Sequence, residues 1–197
     1  MALGKQAKNL SRAQTDAVLA YVSQTRHPGR NRLIFLLSTR AGLRAKEIAH
    51  LTWSMVTDAE GFVADEIAIT NHASKGRSGR VIPLSRELRG ALVSWKDECG
   101  ITGPEQRVIL TERAKATSSQ VIENLFRAWY SRLGFQGCSS HSGRRTFITN
   151  AARRISTVGG SLRDIQSLAG HSSLSTTQRY IEINPEAKRK IVELVGS

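Results

Sequence analysis

The run Leu33-Ile34-Phe35-Leu36-Leu37 leaves no polar side on which a helix could face water. A helix built on it must therefore be enclosed by the rest of the chain. Gly42 suits its end, because glycine takes the left-handed conformation there without a Cβ penalty. Candidate shell helices lie on both sides of this run. Ser11 with Gln14 makes a capping box that opens a helix reaching about Thr25, and His27-Pro28-Gly29 breaks it. A short helix carrying Glu47 and Ile48 leads to Trp53. Further helices are expected over Ser85–Glu98, over Ser118–Leu133 with Gly134 as its stop, over His141–Arg154, and over Ser161–Ala169 with Ser161 and Asp164 as cap and first-turn acid. Ser175 and Gln178 form another capping box, which puts Tyr180 on a short helix. Asn184-Pro185-Glu186 opens a last helix, 185–196, with Ala187, Ile191, Leu194 and Val195 on one face.

Between residues 62 and 84 the texture changes. Phe62–Thr70 alternates loosely and is rich in Val and Ile, and Val81-Ile82-Pro83-Leu84 is a second short strand. The polar, glycine-bearing stretch Asn71–Arg80 separates them, so a β-hairpin with a basic tip is expected. The fold class is mainly α with a small antiparallel β-sheet or hairpin (α+β).

Charge narrows the partners. Lys and Arg total 29 against 16 Asp and Glu, for a net charge of +13. Residues 1–50 carry nine basic and two acidic side chains, and residues 141–197 carry nine and four, whereas residues 51–100 carry six and seven. Two basic ends around a neutral middle favour a polyanion, with nucleic acid ahead of an anionic membrane surface. No apolar run approaches the roughly 20 residues that span a bilayer. Cys99 and Cys138 form no CxxC pair and have no nearby His at metal-ligand spacing, which fits reduced thiols in a cytoplasmic protein. No targeting signal is evident.

Five segments concentrate chemistry: Ala41-Gly42-Leu43-Arg44-Ala45-Lys46-Glu47-Ile48, Ser74-Lys75-Gly76-Arg77, His141-Ser142-Gly143-Arg144-Arg145, Leu168-Ala169-Gly170-His171 and Thr176-Thr177-Gln178-Arg179-Tyr180. Together they resemble the tyrosine recombinase (phage integrase) family, whose pattern is GLR-x-x-E-[IL], a hairpin Lys, H-x-x-R, G-H and a Tyr nine residues after that second His. The resemblance covers roughly residues 11–197. It implies the integrase catalytic-domain fold and site-specific recombination of double-stranded DNA, without cofactor, metal or ATP. It also implies a place in a bacterial, archaeal or phage-encoded cytoplasmic protein that works at the nucleoid.

The chemistry explains why such residues would be gathered. Strand exchange displaces one oxygen from a phosphodiester and later restores it, and a phosphotyrosine ester conserves the bond energy between the two steps. Tyr loses its proton as it attacks, so an imidazole or a field of positive charge helps. Guanidiniums match phosphate geometrically and hold the extra charge of the transition state. The resemblance makes Tyr180 the nucleophile and Lys75 the general acid at the leaving oxygen. Arg44 and Arg144 hold the phosphate, His171 hydrogen-bonds it and His141 assists proton transfer. Glu47 is expected to orient the basic cluster, while Arg77, Arg80 and Arg145 are expected to face DNA.

Two other readings stay open at this level. Ser161–Ala169 and Ser175–Ile183 could form a helix-turn-helix of a DNA-binding protein without catalysis, or the chain could nick and reseal one strand as type IB topoisomerases do. Many family members carry an N-terminal core-binding domain. Only about ten residues precede the first helix here, so residues 1–10 are expected to be a short lead-in and 11–197 the catalytic domain, without a core-binding domain, either as a fragment or as one of the short single-domain members. Gly143 stands where the family often has Leu, and Ala169 where Leu is common. Gly143 is expected to loosen the helix carrying His141 and Arg144. In the family the segment after the Tyr commonly docks on a neighbouring subunit within a DNA-bound tetramer, which suits the apolar face of 185–196; docking on its own domain is the alternative.

Overall fold

The computed structural model describes residues 6–71, 73, 79–111, 117–181 and 185–195. The apolar run becomes the centre of α2 (Pro28–Arg40), where Leu33 to Leu37 are all fully buried. Each such side chain contributes on the order of 2 kcal/mol of burial. The enclosure comes from α1 (Arg12–Val22), α3 (Ala45–His50), α4 (Arg86–Cys99) and α6 (Ser142–Arg154), all of which pack against α2. α5 (Ser119–Arg132) closes the far side on α1 and α3, presenting Ile122, Phe126, Trp129 and Tyr130 to the core. α7 (Leu162–Ala169) and α8 (Leu174–Gln178) pack on each other, and α7 also meets α6 and the sheet. A second small core forms there from Ile148, Ile165 and Ala169, with Tyr180 packed against it. α9 (Pro185–Val195) completes the described elements.

Most helix starts follow local chemistry. Ser11 Oγ accepts from Gln14 N at 3.1 Å while Gln14 Oε1 accepts from Ser11 N at 2.9 Å, the expected box. Ser85 and Ser118 cap α4 and α5 by accepting from Leu88 N and Val121 N, each at 3.3 Å. Asp164 accepts from Ser161 N at 2.7 Å at the head of α7. Pro28 is a start rather than a break, since it occupies the first turn of α2, where its missing N–H costs nothing. The first helix ends at Val22 and leaves through a turn to Thr25. Near Tyr180 the expectation fails: Ser173, not Ser175, caps α8, and the helix ends at Gln178. Asn184, expected to cap the last helix, lies outside the described residues.

The hairpin is real but shorter than the alternation suggested. β1 (Glu66–Ile69) pairs antiparallel with β2 (Arg80–Pro83), in a register from Glu66 opposite Pro83 to Ile69 opposite Arg80. Phe62 and Val63 belong to a separate tight turn closed by a Thr57–Val63 bridge, and Phe62 is exposed. Side chains alternate across a strand, so Ile67, Ile69, Ile82 and Arg80 all face inward. The basic tip, Lys75 and Arg77 included, lies outside the described residues.

Gly143 is a spacer, not a weak point. A Cβ there would stand 2.4 Å from Ser38 Oγ and 3.0 Å from Ser38 Cβ, so only glycine lets α6 approach α2 this closely. The expected loosening is replaced by tight packing that fixes where α6 begins.

Candidate active site

α6 brings its first turn against the end of α2, with His141 in the N-cap position and Arg144 one turn further on. His141 stays exposed, while Arg144 is only 3% exposed. Burial of a guanidinium demands acceptors. Arg144 Nη1 donates to Gly42 O at 2.6 Å, and Nη2 donates to Ala169 O at 2.7 Å. Both carbonyls are freed by helix ends: Gly42 (φ +64°) turns the chain out of α2, and Ala169 is the last residue of α7. A Cβ on Gly42 would also lie 2.5 Å from the Phe147 ring, so the position is closed to other residues twice over.

Arg144 Nη2 also lies 3.0 Å from His171 Nε2. A guanidinium only donates, so Nε2 accepts and the imidazole proton sits on Nδ1, which faces Thr177 Oγ1 at 3.0 Å. Burial, followed by the charges of Arg144, Arg44 and Arg80, lowers the His171 pKa to about 4. His171 is thus neutral near pH 7 and, in this arrangement, a fixed acceptor for Arg144. Burial and the charge of Arg44 also pull the Arg144 guanidinium down to about 10, which leaves it cationic.

Glu47 anchors the other cations. It is fully buried, and its carboxylate takes Arg44 Nη1 at 2.9 Å, Arg80 Nη1 at 2.9 Å and Arg80 Nη2 at 3.0 Å. It also accepts from the Arg44 backbone N–H at 2.8 Å, capping α3. Burial alone would raise its pKa. The bonds and charge of Arg80, then those of Arg44, outweigh it and hold the carboxyl at about 2. Arg44 keeps part of its side chain exposed, whereas the Arg80 side chain is only 4% exposed. Arg80 was expected to face DNA. The strand alternation turns it inward instead, and its identified bonds go to Glu47 and to Leu168 O, the latter 2.8 Å from its Nε.

Tyr180 follows α8 in a turn, its N–H bonded to Thr177 O and its carbonyl accepting from Thr149 Oγ1 at 3.4 Å. Its ring stacks on His171 with centroids 5.4 Å apart and planes 21° apart. The guanidinium of Arg145 lies 5.6 Å from the centre of the same ring. The tyrosine borders a cleft of about 370 Å³ with His141, Arg144, Arg145, Ser139, Thr176 and Arg179. Gln6 and Ala7 complete the wall, with Gln6 Oε1 accepting from Arg145 Nη1 at 2.6 Å.

Of the anticipated site residues, His141, Arg144, Arg145 and Tyr180 share the cleft, His171 stacks behind Tyr180, and Arg44 and Glu47 adjoin through the buried charge network. Lys75 and Arg77 lie outside the described residues. Sequence reasoning placed Thr176, Thr177 and Arg179 in the segment that ends at Tyr180 but gave them no individual role, and it missed the lead-in residue Gln6. Thr177 is fully buried and six residues from His171, and nothing in that spacing announces their contact. The inward Arg80 did have a signal: once Ile82 faces the core, a residue two positions away must share its side. A helix-turn-helix is poorly served here, since α8 has a single short turn of five residues.

The model of the phage integrase family matches residues 8–187. Tyrosine recombinase XerA of Thermococcus kodakarensis is 32% identical over 190 residues, covering 94% of this chain and 62% of that protein. Tyrosine recombinase XerC of Haemophilus influenzae is 27% identical over 196 residues, covering 93% and 63%. The chain thus spans less than two thirds of the length of these relatives. Among solved structures, the XerA recombinase crystal structure superimposes with a TM-score of 0.72 at 24% identity, covering 94% of this chain and 64% of that one. The Tn1549 transposon integrase in complex with transposon right end DNA gives 0.76 at 16% identity, covering 99% and 68%. These two share the mainly helical architecture with its small antiparallel sheet. With its matched span covering nearly all the described elements, the chain belongs to the phage integrase family.

Proposed function

We propose that this chain is the catalytic part of a site-specific recombinase that cuts and rejoins double-stranded DNA through Tyr180. The observation that carries the reading is the convergence of Tyr180, His141, Arg144, Arg145 and Arg179 on one open cleft, drawn from segments far apart in sequence. Attack of the Tyr180 hydroxyl oxygen on phosphorus forms the 3′-phosphotyrosine bond and breaks the bond to the 5′ oxygen. The tyrosine proton passes to His141 at the cleft mouth, and Lys75 protonates the leaving 5′ oxygen. Arg44, and the donors of Arg144 not committed to carbonyls, hold the non-bridging oxygens. A 5′-hydroxyl from the exchanging strand reverses these steps, so neither ATP nor a metal ion is needed. His171 holds Arg144 in the ground state. It contacts phosphate only if its proton moves to Nε2, with Thr177, whose hydroxyl can donate as well as accept, serving Nδ1.

Partner chains follow from α9. Ile191, Val192, Leu194 and Val195 are 56–81% exposed on a helix just after the nucleophile. That surface favours docking on a second copy of the chain over burial on its own domain, within an assembly on DNA. Arg77 and Arg145 would add phosphate contacts. The setting proposed is the cytoplasm, at the nucleoid.

Nicked duplexes that trap a covalent intermediate test the chemistry. Wild type should give a denaturation-resistant protein–DNA adduct, and Tyr180→Phe should give none. An adduct that survives Tyr180→Phe would refute the assignment.

A further inference from the structure

Arg80 is a buried cation whose every identified bond goes inward. Its two Nη atoms grip both oxygens of Glu47, and its Nε holds Leu168 O at the end of α7. The turn that follows is moulded on it: a Cβ at Gly170 would stand 2.9 Å from Arg80 Cδ and Nη1. Gly170 is left-handed (φ +60°) and leads directly to His171. On its other side, Glu47 fixes the backbone and guanidinium of Arg44. The carbonyl next to Leu168, that of Ala169, holds Arg144. One guanidinium thus stands between the segment that carries Arg44 and the turn that carries His171 and restrains Arg144. It also sits at the first position of β2.

We infer that Arg80 is a positioning residue, which sets the register of Arg44, Arg144 and His171 by clamping Glu47 to the α7 end without touching DNA. This rests on the recombinase reading for its consequence in catalysis, though the clamp itself is a property of the fold. The geometry needs arginine in particular. Only a planar fork can present two parallel N–H bonds to a carboxylate and a third, from Nε, to a carbonyl. Lysine keeps the charge and can reach Glu47, but it cannot hold Leu168 O in the same arrangement.

The test compares wild type with Arg80→Lys and Arg80→Met, using the full chain. Three quantities are measured: affinity for a nicked duplex, the single-turnover rate of adduct formation at saturating protein, and exchange of the Arg44 and Arg144 guanidinium N–H protons by NMR. Arg80→Lys keeps the buried charge paired and is expected to fold, so it remains informative if Arg80→Met does not. The clamp predicts affinity within about twofold of wild type, and an adduct rate lowered about tenfold in Arg80→Lys and about a hundredfold in Arg80→Met, as misplaced groups do. It also predicts faster guanidinium exchange in both variants.

Two outcomes overturn it. One is weakened binding by Arg80→Met with a salt slope reduced by about one and an unchanged saturated rate, which marks a phosphate contact. The other is unchanged guanidinium exchange in Arg80→Lys. Should wild type itself give no Tyr180-dependent adduct, the recombinase reading falls, while the exchange measurement still decides the clamp.

Discussion

The rings of Tyr180 and His171 are stacked, with centroids 5.4 Å apart, and the imidazole they share with the charge network is already committed to Arg144. Tyr180 is therefore held by a neutral histidine whose protonation would break its bond to Arg144. Stability and acid should be linked through this pair.

His171 sits at about pKa 4 in the folded chain against an ordinary value of 6.5. Between these values the unfolded chain binds a proton that the folded chain refuses, so stability is full above about pH 6.5 and falls as pH drops toward 4. Glu47, lowered from 4.5 to about 2, has the separate window in which its stabilisation is lost as pH falls from 4.5 toward 2. Urea unfolding across pH 4–7 should show the first loss, and His171→Gln should flatten it. An equal slope in the variant would refute the attribution.

Arg144 should matter to the fold before any DNA is present. Arg144→Ala strands the carbonyls of Gly42 and Ala169 and removes the donor to His171. Part of that cost is offset by relief of repulsion from Arg44 and Arg80, which both depress its pKa. A net loss of about 2 kcal/mol in urea unfolding is expected. A loss under about 0.5 kcal/mol, the ordinary range for an uninvolved surface residue, would mean that its contacts are not structural.

The contact of Gly143 with Ser38 predicts a compensating pair. Gly143→Ala drives a methyl to 2.4 Å from Ser38 Oγ and should cost about 1–3 kcal/mol. Ser38 Oγ is buried with no hydrogen-bond partner among the described residues, so Ser38→Ala alone should be neutral or stabilising. The double variant should recover part of the loss, as measured by a double-mutant cycle. Strict additivity would contradict the close approach.

Truncation separates the roles of α9. Its exposed Ile191, Val192, Leu194 and Val195 contribute little burial within the chain. Deleting residues 185–197 should therefore shift Tm by no more than about 2 °C, under the effect of 1 kcal/mol for a chain this long. The truncated chain should still bind one DNA half-site but assemble less well on a full site. Unchanged assembly, followed by analytical ultracentrifugation of the DNA complexes, would eliminate docking through this helix.

Sequence by itself determined most of the helices and singled out the candidate reactive groups. Capping at Ser11, Ser85 and Ser118 is decided within a few residues, and the Leu33–Leu37 run could only be a core helix. Those are short-range preferences, readable because both partners lie within one turn. The tertiary structure decided the directions of the charges. Arg80 lies in a polar glycine-rich stretch that favours solvent, yet Ile82 buries its side of β2 and the fully enclosed Glu47 requires cations. Gly143 likewise takes its meaning from Ser38, about a hundred residues away, and Thr177 from a histidine across a turn. A buried charge is stable only where distant segments bring it partners, and that pairing exists only once the chain has closed around it.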